Sequence, residues 1–438
     1  STSFSADRPN KFLELQDTYA QGIRGNYNGP ETGQGASFGP LISELEFDGD
    51  TDYPYDQNGR LVPVGAGNGT PARAYDRYNA FFVSGLTLDN NLSVSGGTDK
   101  TRYYMSVGRL TQTGIVPNAD FTRNSFKTTI NSDLSEKLTA GVSATFINSG
   151  GNRIQRGSNI SGVMLGLVRN TPTFDIGNGK TGQEAADDPS SYILPNGEQR
   201  SYRAGIYDSP FWTVNKNPFT DNVNRVIGYT SLAYEATSWL KFSYKLGVDN
   251  FSDERRYSFD INSASVPAGE VNLRNINSTD LNSDFLVMIN KQFSDDFFLN
   301  ATLGHNYYKS NREDRLATGS EMGIASVYTI GNTAAVQSSE AISQRQLHGA
   351  FADLKMGYRD MLFLNLSGRN DWSSTLPSDN NSFFYPAVSL GFVLSEALDF
   401  GSVLPYAKLR VSYGQVGNDA LLYATENYYV SATAGGDG

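Results

Sequence analysis

The stretch GRNDWSSTLP, residues 368–377, brings an Arg, an Asp, a Trp and two Ser together directly after the alternating apolar run MLFLNLS. Arg369 and Asp371 can form an ion pair, and the hydroxyl groups of Ser373 and Ser374 become nucleophiles when a base activates them. Such a patch is typical of an active site or of the rim where a strand leaves a barrel. A partner base would distinguish these two interpretations.

Only two histidines, His305 and His348, are available as bases, and each lies inside a strand-like segment on a face shared with apolar or aromatic residues. No nucleophile elbow accompanies them. The chain has no Cys, which excludes thiol catalysis, disulfides and zinc-thiolate sites. Retaining glycosidases need two carboxyl groups about 5 Å apart, and no such pair stands out. The sequence therefore predicts neither an enzyme nor a resident cofactor.

The acidic stretch DGDTDYPYD places Asp48, Asp50 and Asp52 at alternate positions, and oxygen ligands in such a pattern suit Ca²⁺. The EF-hand pattern fails, because Tyr53 occupies the place of the required Gly and no Glu follows at the twelfth position. A solvated acidic loop without metal is the favoured interpretation. A calcium site on these three carboxylates is the alternative.

The composition indicates a β-rich protein. The chain has 438 residues with 25 Tyr, 25 Phe and 44 Gly, and only 18% of its residues are charged. A net charge of -11 argues against a nucleic-acid-binding surface. No window of about 18 apolar residues occurs, which excludes a transmembrane helix but does not exclude strands that cross a membrane.

Alternation of apolar and polar residues predicts about twelve strands from residue 92 to the end of the chain. In one of them Tyr244, Leu246 and Val248 alternate with Ser243 and Lys245, so that one face is apolar and the other is wet. Strands of about ten residues suit a tilted span of a bilayer.

The connections between these strands alternate in length. Connections of about two or three residues are expected after Gly97, Leu134, Glu235, Phe293 and Tyr358, and longer ones, from about nine to about seventy-five residues, start at Thr111, Gly150, Ser252, Lys309 and Asp371. The connection after Leu394, about twelve residues long, is an exception. Short turns at one end and long loops at the other are typical of an up-and-down outer-membrane barrel.

The predicted fold is therefore an all-β, antiparallel transmembrane β-barrel with short periplasmic turns and long extracellular loops. Residues 1–78 have the composition of the long loops and are assigned to an extracellular loop region between barrel strands, while residues 79–438 are assigned to the barrel. Within the first region, the stretch NKFLELQDTYAQGI has helical spacing of Phe12, Leu15 and Tyr19.

Aromatic residues suggest two further roles. Trp239, Phe297 and Phe298 stand beside short turns, where an aromatic girdle meets the membrane interface, and Trp372 suits the opposite interface. The loop residues Tyr202, Tyr207 and Trp212 are candidates for stacking against a substrate.

Several longer stretches resemble the SusC/RagA family of TonB-dependent outer-membrane transporters. SVSGGTDKTRYYMSVGRLTQTGIVPNADFTRNSFKTTIN is similar to the first recognisable barrel hairpins of that family. GRNDWSSTLP is similar to its strand-end motif, carried here by Arg369, Asp371, Trp372, Ser373 and Ser374. YPAVSLGFVLSE and AKLRVSYGQVGND resemble the next hairpin, so the resemblance covers nearly all of the chain from about residue 10.

The resemblance implies a barrel of about twenty-two strands, of which this chain holds about twelve. The plug domain, the first strands and the last strands of such a protein are expected outside this chain. The implied function is import of a bulky glycan or peptide across the outer membrane. The implied partners are a SusD-like surface lipoprotein, outer-membrane lipid, and TonB, which would bind through a segment absent here.

Two other readings remain open. A passive outer-membrane porin or an adhesin would have the same wall without a plug or a partner. A secreted β-rich carbohydrate-binding protein is the second alternative, and it would not fractionate with the outer membrane.

Overall fold

A single antiparallel sheet of thirteen strands dominates the structure, a computed structural model that describes residues 1–155, 161–398 and 405–425. The strands are β1 (Thr2–Asp7), β2 (Gly22–Ile23), β3 (Asn26–Tyr27), β4 (Leu45–Phe47), β5 (Leu61–Pro63), β6 (Thr70–Pro71), β7 (Gly85–Gly97), β8 (Thr101–Thr113), β9 (Asp120–Asp133), β10 (Leu138–Arg153), β11 (Phe219–Thr237), β12 (Leu240–Phe259), β13 (Glu270–Ser294), β14 (Phe297–Met322), β15 (Thr333–Tyr358), β16 (Leu362–Ser373), β17 (Ser382–Val393) and β18 (Lys408–Gly414). Across the thirteen-stranded sheet, β1 lies beside β7, and β7 to β18 follow in sequence order.

The two faces of this sheet differ because side chains alternate along each strand. On the outward face apolar residues lie opposite one another, as Phe146 does to Phe126 and Val142 to Ile130. On the inward face polar groups meet, and the hydroxyls of Thr129 and Ser143 lie 2.9 Å apart. An exposed apolar surface on a continuous sheet fits lipid outside and a polar lumen inside.

The twelve strands expected from alternation are present, and the structure adds a thirteenth. Residues Thr2–Asp7, which were assigned to a loop, form β1 and pair with β7 from Thr2 opposite Asn90 to Asp7 opposite Gly85. The loop assignment is therefore wrong for these six residues. Six residues are too few for alternation to be recognised beside a polar, Gly-rich stretch.

The strands extend far beyond the expected ten residues. β13 has 25 residues, and β14 and β15 have 26 each. The long loops expected from Ser252 and Lys309 therefore shrink to residues 260–269 and 323–332. The polar segments that were expected to form loops are instead the ends of these long strands. Ion pairs between neighbouring strands, such as Arg274 with Asp314, stabilise the strands there.

The alternation of connection lengths is nevertheless observed. The turns at 98–100, 134–137, 238–239, 295–296 and 359–361 are short, and every connection at the opposite end is longer. The exceptional connection after Leu394 lies partly on residues 399–404, outside the described residues.

Aromatic residues gather beside the short turns. Phe293 and Phe297 have ring centroids 5.7 Å apart, Tyr358 is the strand partner of Phe297, and Lys291 lies 5.3 Å from the ring of Trp239. Phe298 departs from the expected girdle, because alternation turns it to the inward face beside Phe363.

The expected helix at Phe12, Leu15 and Tyr19 is also wrong. This stretch contains no helix, and Phe12 instead stacks on Tyr78 with ring centroids 4.2 Å apart. Helical spacing in a short segment is a weaker constraint than packing against a neighbouring aromatic ring.

The two longest connections, 8–84 and the described part of 154–218, pack together into one folded unit, called the head here. Thirteen buried residues of these connections, among them Phe81, Leu167, Ile176 and Phe211, form its main hydrophobic core together with Val116 of the β8–β9 connection. The helices of the structure are short: α1 (Arg77–Phe81), α2 (Val163–Arg169), α3 (Gly182–Asp187), α4 (Pro210–Lys216) and α5 (Leu394–Ala397), with 3-10 turns at Pro30–Thr32, Ile42–Glu44, Pro189–Ser191 and Ile330–Asn332.

Among the described residues, no helix has both the length and the apolar character needed to cross a bilayer.

The assignment of faces predicts different costs for a charge at two adjacent residues of β11. Leu232 is 49% exposed on the outward face, about five residues from the short turn and hence near the bilayer midplane. Leu232→Lys in the full-length protein should lower the free energy of unfolding by about 2 to 4 kcal/mol. Ala233→Lys, directed inward, should cost much less. Urea unfolding in lipid vesicles measures both, and equal costs would show that the faces are assigned wrongly.

Candidate functional site

Four pairs of Arg and Asp line the inward face toward the loop end of the sheet. Each guanidinium lies against a carboxylate on the same strand or on the next one, and three of the pairs are held by two parallel hydrogen bonds. The pairs are Arg153 with Asp221, Arg225 with Asp249, Arg255 with Asp253, and Arg274 with Asp314. Pairing makes this wall strongly hydrophilic while keeping its charge balanced.

Amide and aromatic groups continue this polar surface toward the middle of the sheet. Asn306 donates to Asn282 Oδ1 at 3.0 Å and to Asp284 Oδ1 at 2.6 Å. Lys245 Nζ lies 4.4 Å from the ring centroid of Tyr229. A polar solute passing along this wall would meet both donors and acceptors.

A cavity of about 620 Å³ lies where the head meets the loop ends of β7 to β10. Its apolar lining includes Phe82, Ile115, Phe121, Ile154 and Met164, and its polar lining includes Asp7, Gln112, Asp120, Asn152 and Arg153. The guanidinium of Arg153 lies 4.7 Å from the ring centroid of Phe121. Apolar walls with a few convergent polar groups are typical of a small-molecule site, so this cavity is the candidate binding pocket.

Sequence reasoning missed this pocket. Phe121 and Arg153 lie at strand ends far apart in sequence, and they meet only because β9 pairs with β10. The available signal was that each stands next to a long connection, where barrels place ligand-binding residues.

The three predicted stacking residues lie in the head. Tyr202 and Trp212 are 3% and 2% exposed, and Trp212 donates from its indole nitrogen to Ser263 Oγ at 3.0 Å. Tyr207 is half-buried and stacks on Tyr202, with ring planes 7° apart. Because Tyr202 and Trp212 are buried, they pack inside the head in this conformation. Contact with a substrate stays a prediction, and of the three residues Tyr207 is the one with exposed surface for it.

A fully buried arginine holds the head together. Arg200 is 0% exposed, and its guanidinium donates to the backbone carbonyls of Tyr55, Asp175, Ile176 and Ser191. Burial lowers the pKa of Arg200 to about 10, so it remains charged at neutral pH. Because Tyr55 belongs to the first long connection and the other three to the second, this side chain joins the two.

A second polar network fastens the head to the strand ends. Asp208 accepts from the backbone NH of Ala264 at 2.7 Å and from Asn217 Nδ2 at 3.1 Å, and burial raises its pKa above the ordinary value. Asp260, 1% exposed, accepts from the backbone and the hydroxyl of Ser326. The head is thereby tied to the β12–β13 and β14–β15 connections.

The acidic loop has local partners. Asp48 Oδ1 accepts from the backbone NH groups of Asp50 and Arg60, and Asp50 pairs with the Arg60 guanidinium. The backbone NH of Asp52 donates a hydrogen bond to Asp50 Oδ1 at 3.1 Å. Within the described ranges, no cluster of three or more metal-ligating side chains is found. These contacts account for Asp48 and Asp50 as turn-forming residues, and a calcium site on the three carboxylates stays an alternative.

The strand-end motif joins β15, β16 and the segment 415–425 that follows β18. Arg369 Nε lies 2.6 Å from Asp371 Oδ1, and Ser374 Oγ accepts from the backbone NH of Gln346 at 2.8 Å. Trp372 is 41% exposed on the outward face. The fifth member, Ser373, is fully buried and donates to Asp419 at 2.6 Å.

Asp419 is the centre of this contact, called the Asp419 clasp here. It accepts from Ser373, from Thr375 at 3.0 Å and twice from Arg345 at 2.8 Å. Burial would raise the pKa of Asp419, but these hydrogen bonds outweigh it and leave the pKa below its ordinary value. No described base activates either serine, so the clasp has a structural geometry.

The clasp should respond to acid. Because the folded state lowers the pKa of Asp419, its contribution to stability is present above the unfolded pKa and is lost as pH falls through the folded pKa. The backbone NH groups of Gln415 and Ala424, which donate to the carbonyls of Pro386 and Leu421, should therefore be protected from hydrogen exchange at pH 5 and lose protection at pH 3, after correction for intrinsic rates. Asp419→Asn should lose protection already at pH 5. Unchanged protection in the variant would contradict the clasp.

The head should depend on Arg200. Arg200→Met leaves several buried carbonyls without a donor, at about 1 to 3 kcal/mol each. Limited proteolysis of intact cells should therefore cut residues 8–84 and 161–218 much faster in this variant. Arg203→Met is the matched control, because Arg203 lies in the same loop but donates to one backbone carbonyl only, that of Gly33. Equal cleavage of the two variants would argue against the role of Arg200.

Comparison with known proteins agrees with this architecture. TonB-dependent receptor P26 of Formosa agariphila is 24% identical over 359 residues, which cover 78% of this chain and 34% of the relative. TonB-dependent receptor P39 of the same organism is 24% identical over 358 residues, covering 79% and 32%. The chain thus spans about a third of the length of these curated relatives. No family model matches.

Solved structures show the same fold. The RagAB peptide transporter aligns with a TM-score of 0.64 and 18% identity, covering 85% of this chain and 39% of that chain. The RagAB peptide importer in the closed-closed state gives the same score over 94% and 46%. The sequence relatives are named as receptors and the solved structures as a transporter and an importer, and these names bear out the predictions of a non-enzymatic protein and of an outer-membrane location. The sequence relatives confirm the resemblance to TonB-dependent receptors, and the solved structures confirm the predicted fold, an antiparallel transmembrane β-barrel of which this chain forms a part.

Proposed function

We propose that the chain forms the wall and part of the extracellular face of a TonB-dependent importer of a bulky, hydrophilic nutrient. The observation that carries this proposal is the inward-facing polar wall, which runs from the candidate binding pocket past the four Arg–Asp pairs to the amides of β13 and β14. A wall with paired charges solvates a polar solute without trapping one sign of charge.

The substrate class proposed is a glycan or a peptide. The ring of Phe121 and the apolar groups beside it offer a flat surface to a pyranose ring or an apolar side chain, while Arg153 and Gln112 offer charge and hydrogen bonds. RagAB, which shares the fold, is described as a peptide transporter, and this supports the peptide half of the proposal.

The partners proposed are a SusD-like surface lipoprotein and TonB. RagAB supports the lipoprotein partner, because its name joins two components. The names of the sequence relatives, TonB-dependent receptors, support TonB as a partner. The ordered head gives a lipoprotein a stable surface to meet, since Arg200 and Asp208 hold its loops together. Tyr207, exposed in part beside Arg169, is the proposed contact of this head with substrate.

Two alternatives are separated from this proposal by energy dependence and location. A passive porin or an adhesin would need no proton gradient, and a secreted carbohydrate-binding protein would leave the outer membrane on fractionation. The candidate pocket under the head favours a protein that captures its solute before passage.

Uptake by cells that express the full-length protein tests the proposal. Labelled peptides and, separately, labelled oligosaccharides should enter the periplasm, and both a protonophore and deletion of TonB should abolish entry. Uptake that continues under both treatments would show a passive channel. Failure of both the peptides and the oligosaccharides to enter would contradict the proposal that the protein is an importer.

The pocket has its own test in the same assay. Phe121→Ala should raise the substrate concentration needed for half-maximal uptake several-fold, since an aromatic contact is worth about 0.5 to 1.5 kcal/mol. Phe363→Ala, an inward-facing aromatic at the opposite end of the wall, is the matched control and should leave half-saturation unchanged. Equal effects would mean that Phe121 supports the wall rather than the solute.

A further inference from the structure

The outward face of β13 to β17 carries a groove of about 400 Å³ at membrane depth. Its floor consists of the small residues Ala350, Ala352 and Gly368, and a Cβ on Gly368 would lie 2.9 Å from the ring of Phe384. Larger apolar residues stand at its sides: Phe285, Val287, Leu303 and Phe384. Here small residues on β15 and β16 lie between larger apolar side chains, and this difference in size forms the depression.

The register fixes the depth of the groove. Tyr358 lies at the short-turn end of β15, and His348 lies about ten residues further along, a rise of about 26 Å for a strand of ordinary tilt. The apolar band of such barrels is about 25 Å tall. Ala350 and Ala352 therefore lie in the outer leaflet, just below its interface, while His348 and the neighbouring Trp372 lie at the interface.

Ionisable side chains stand at the upper end of the groove. His305 is the strand partner of Ala350 and is exposed on the outward face, and His348 contacts Tyr307 with ring centroids 4.7 Å apart. Neither imidazole makes a hydrogen bond to another side chain or backbone group in the described part of the chain. An ionisable group at the edge of hydrocarbon is costly without a polar partner, so a partner from the membrane is expected.

The charge around the histidines favours an anion. Lys309 lies two residues above Tyr307 on the same face, and its strand partner is Gln346. On β13 to β17, the outward-facing residues between the groove and Asn311 include no acid, and all of these positions belong to the described residues. A phosphate at the interface would satisfy Lys309 and the two histidines together.

We propose that this groove binds lipopolysaccharide of the outer leaflet, with one acyl chain on Ala350, Ala352 and Gly368 and a phosphate of the lipid headgroup against His305, His348 and Lys309. The groove faces lipid, whereas the import path lies on the opposite face of the same strands. The inference therefore stands independently of the proposed transport.

Native mass spectrometry of the full-length protein, extracted from outer membranes in mild detergent, tests the site. Ala350→Phe fills the groove and should lower the fraction that retains lipopolysaccharide about tenfold, which corresponds to about 1.4 kcal/mol of binding free energy. Ala144→Phe, an equal enlargement on the outward face of β10, should retain lipopolysaccharide as the unmodified protein does. Ala352→Leu provides a second filled groove if the first variant fails to fold.

The headgroup contact is tested by His305→Leu, which keeps the groove apolar. Purified lipopolysaccharide added to the delipidated protein should bind several-fold more weakly to this variant, whereas dephosphorylated lipopolysaccharide should bind both proteins alike. Retention of phosphatidylethanolamine alone would overturn the choice of lipid. Equal retention of lipopolysaccharide by Ala350→Phe and Ala144→Phe, or a second copy of the protein in place of lipid, would overturn the site.

Discussion

The constraint on which the rest of this structure depends is the need to satisfy every backbone NH and C=O group where water is absent. Consecutive strands meet this need by pairing along their whole length, from Thr101 to Thr113 in β8 and through 26 residues in β14. Because the ladder is continuous, alternation assigns each side chain to the lipid or to the lumen. A polar lumen and an apolar exterior are thus consequences of a single pairing scheme.

The ladder also provides the platform for the head. β12 to β15 continue above the apolar band, and there Arg–Asp pairs line the inward face of β12 to β14. Asp260 and Ser263, in the connection 260–269, donate to Asn217 Oδ1 at the end of α4, and Tyr328, in the connection 323–332, donates to the backbone carbonyl of Lys216. Ordering the two long connections costs much conformational entropy, and their shared core around Phe81 and Phe211 offsets that cost.

The two faces of the same strands carry different chemistry. Inward, Arg153, Phe121 and the paired charges suit a polar solute that must bind and then move on. Outward, the groove at Ala350 and Gly368 suits a lipid that remains bound, because its acyl chain would contact the apolar groove while its phosphate contacts the histidines at the interface. A one-residue shift in register would exchange these faces, so the turns that set the register matter to both.

The sequence by itself determined the all-β class, the twelve strands from residue 92 onward, the order of short and long connections, and the site of the Arg369 motif at a strand end. These features are local: a period of two and a turn signal are read within about ten residues. The resemblance carried by the GRNDWSSTLP stretch added the family. Local pattern could not reveal β1, whose partner β7 lies some eighty residues away, or the polar extensions of β13 to β15, which are strands only because a neighbour completes their ladder.

The tertiary structure alone decided the sites. Tyr202 and Trp212 looked like exposed loop aromatics, yet the meeting of two distant connections buries them. Asp419 looked like an ordinary acidic residue, yet strand pairing places Arg345, Ser373 and Thr375 around it. The candidate pocket and the outward groove exist for the same reason, since each is lined by residues from several elements. Sequence patterns record which face a residue occupies, whereas the neighbours on that face depend on register and on long-range packing.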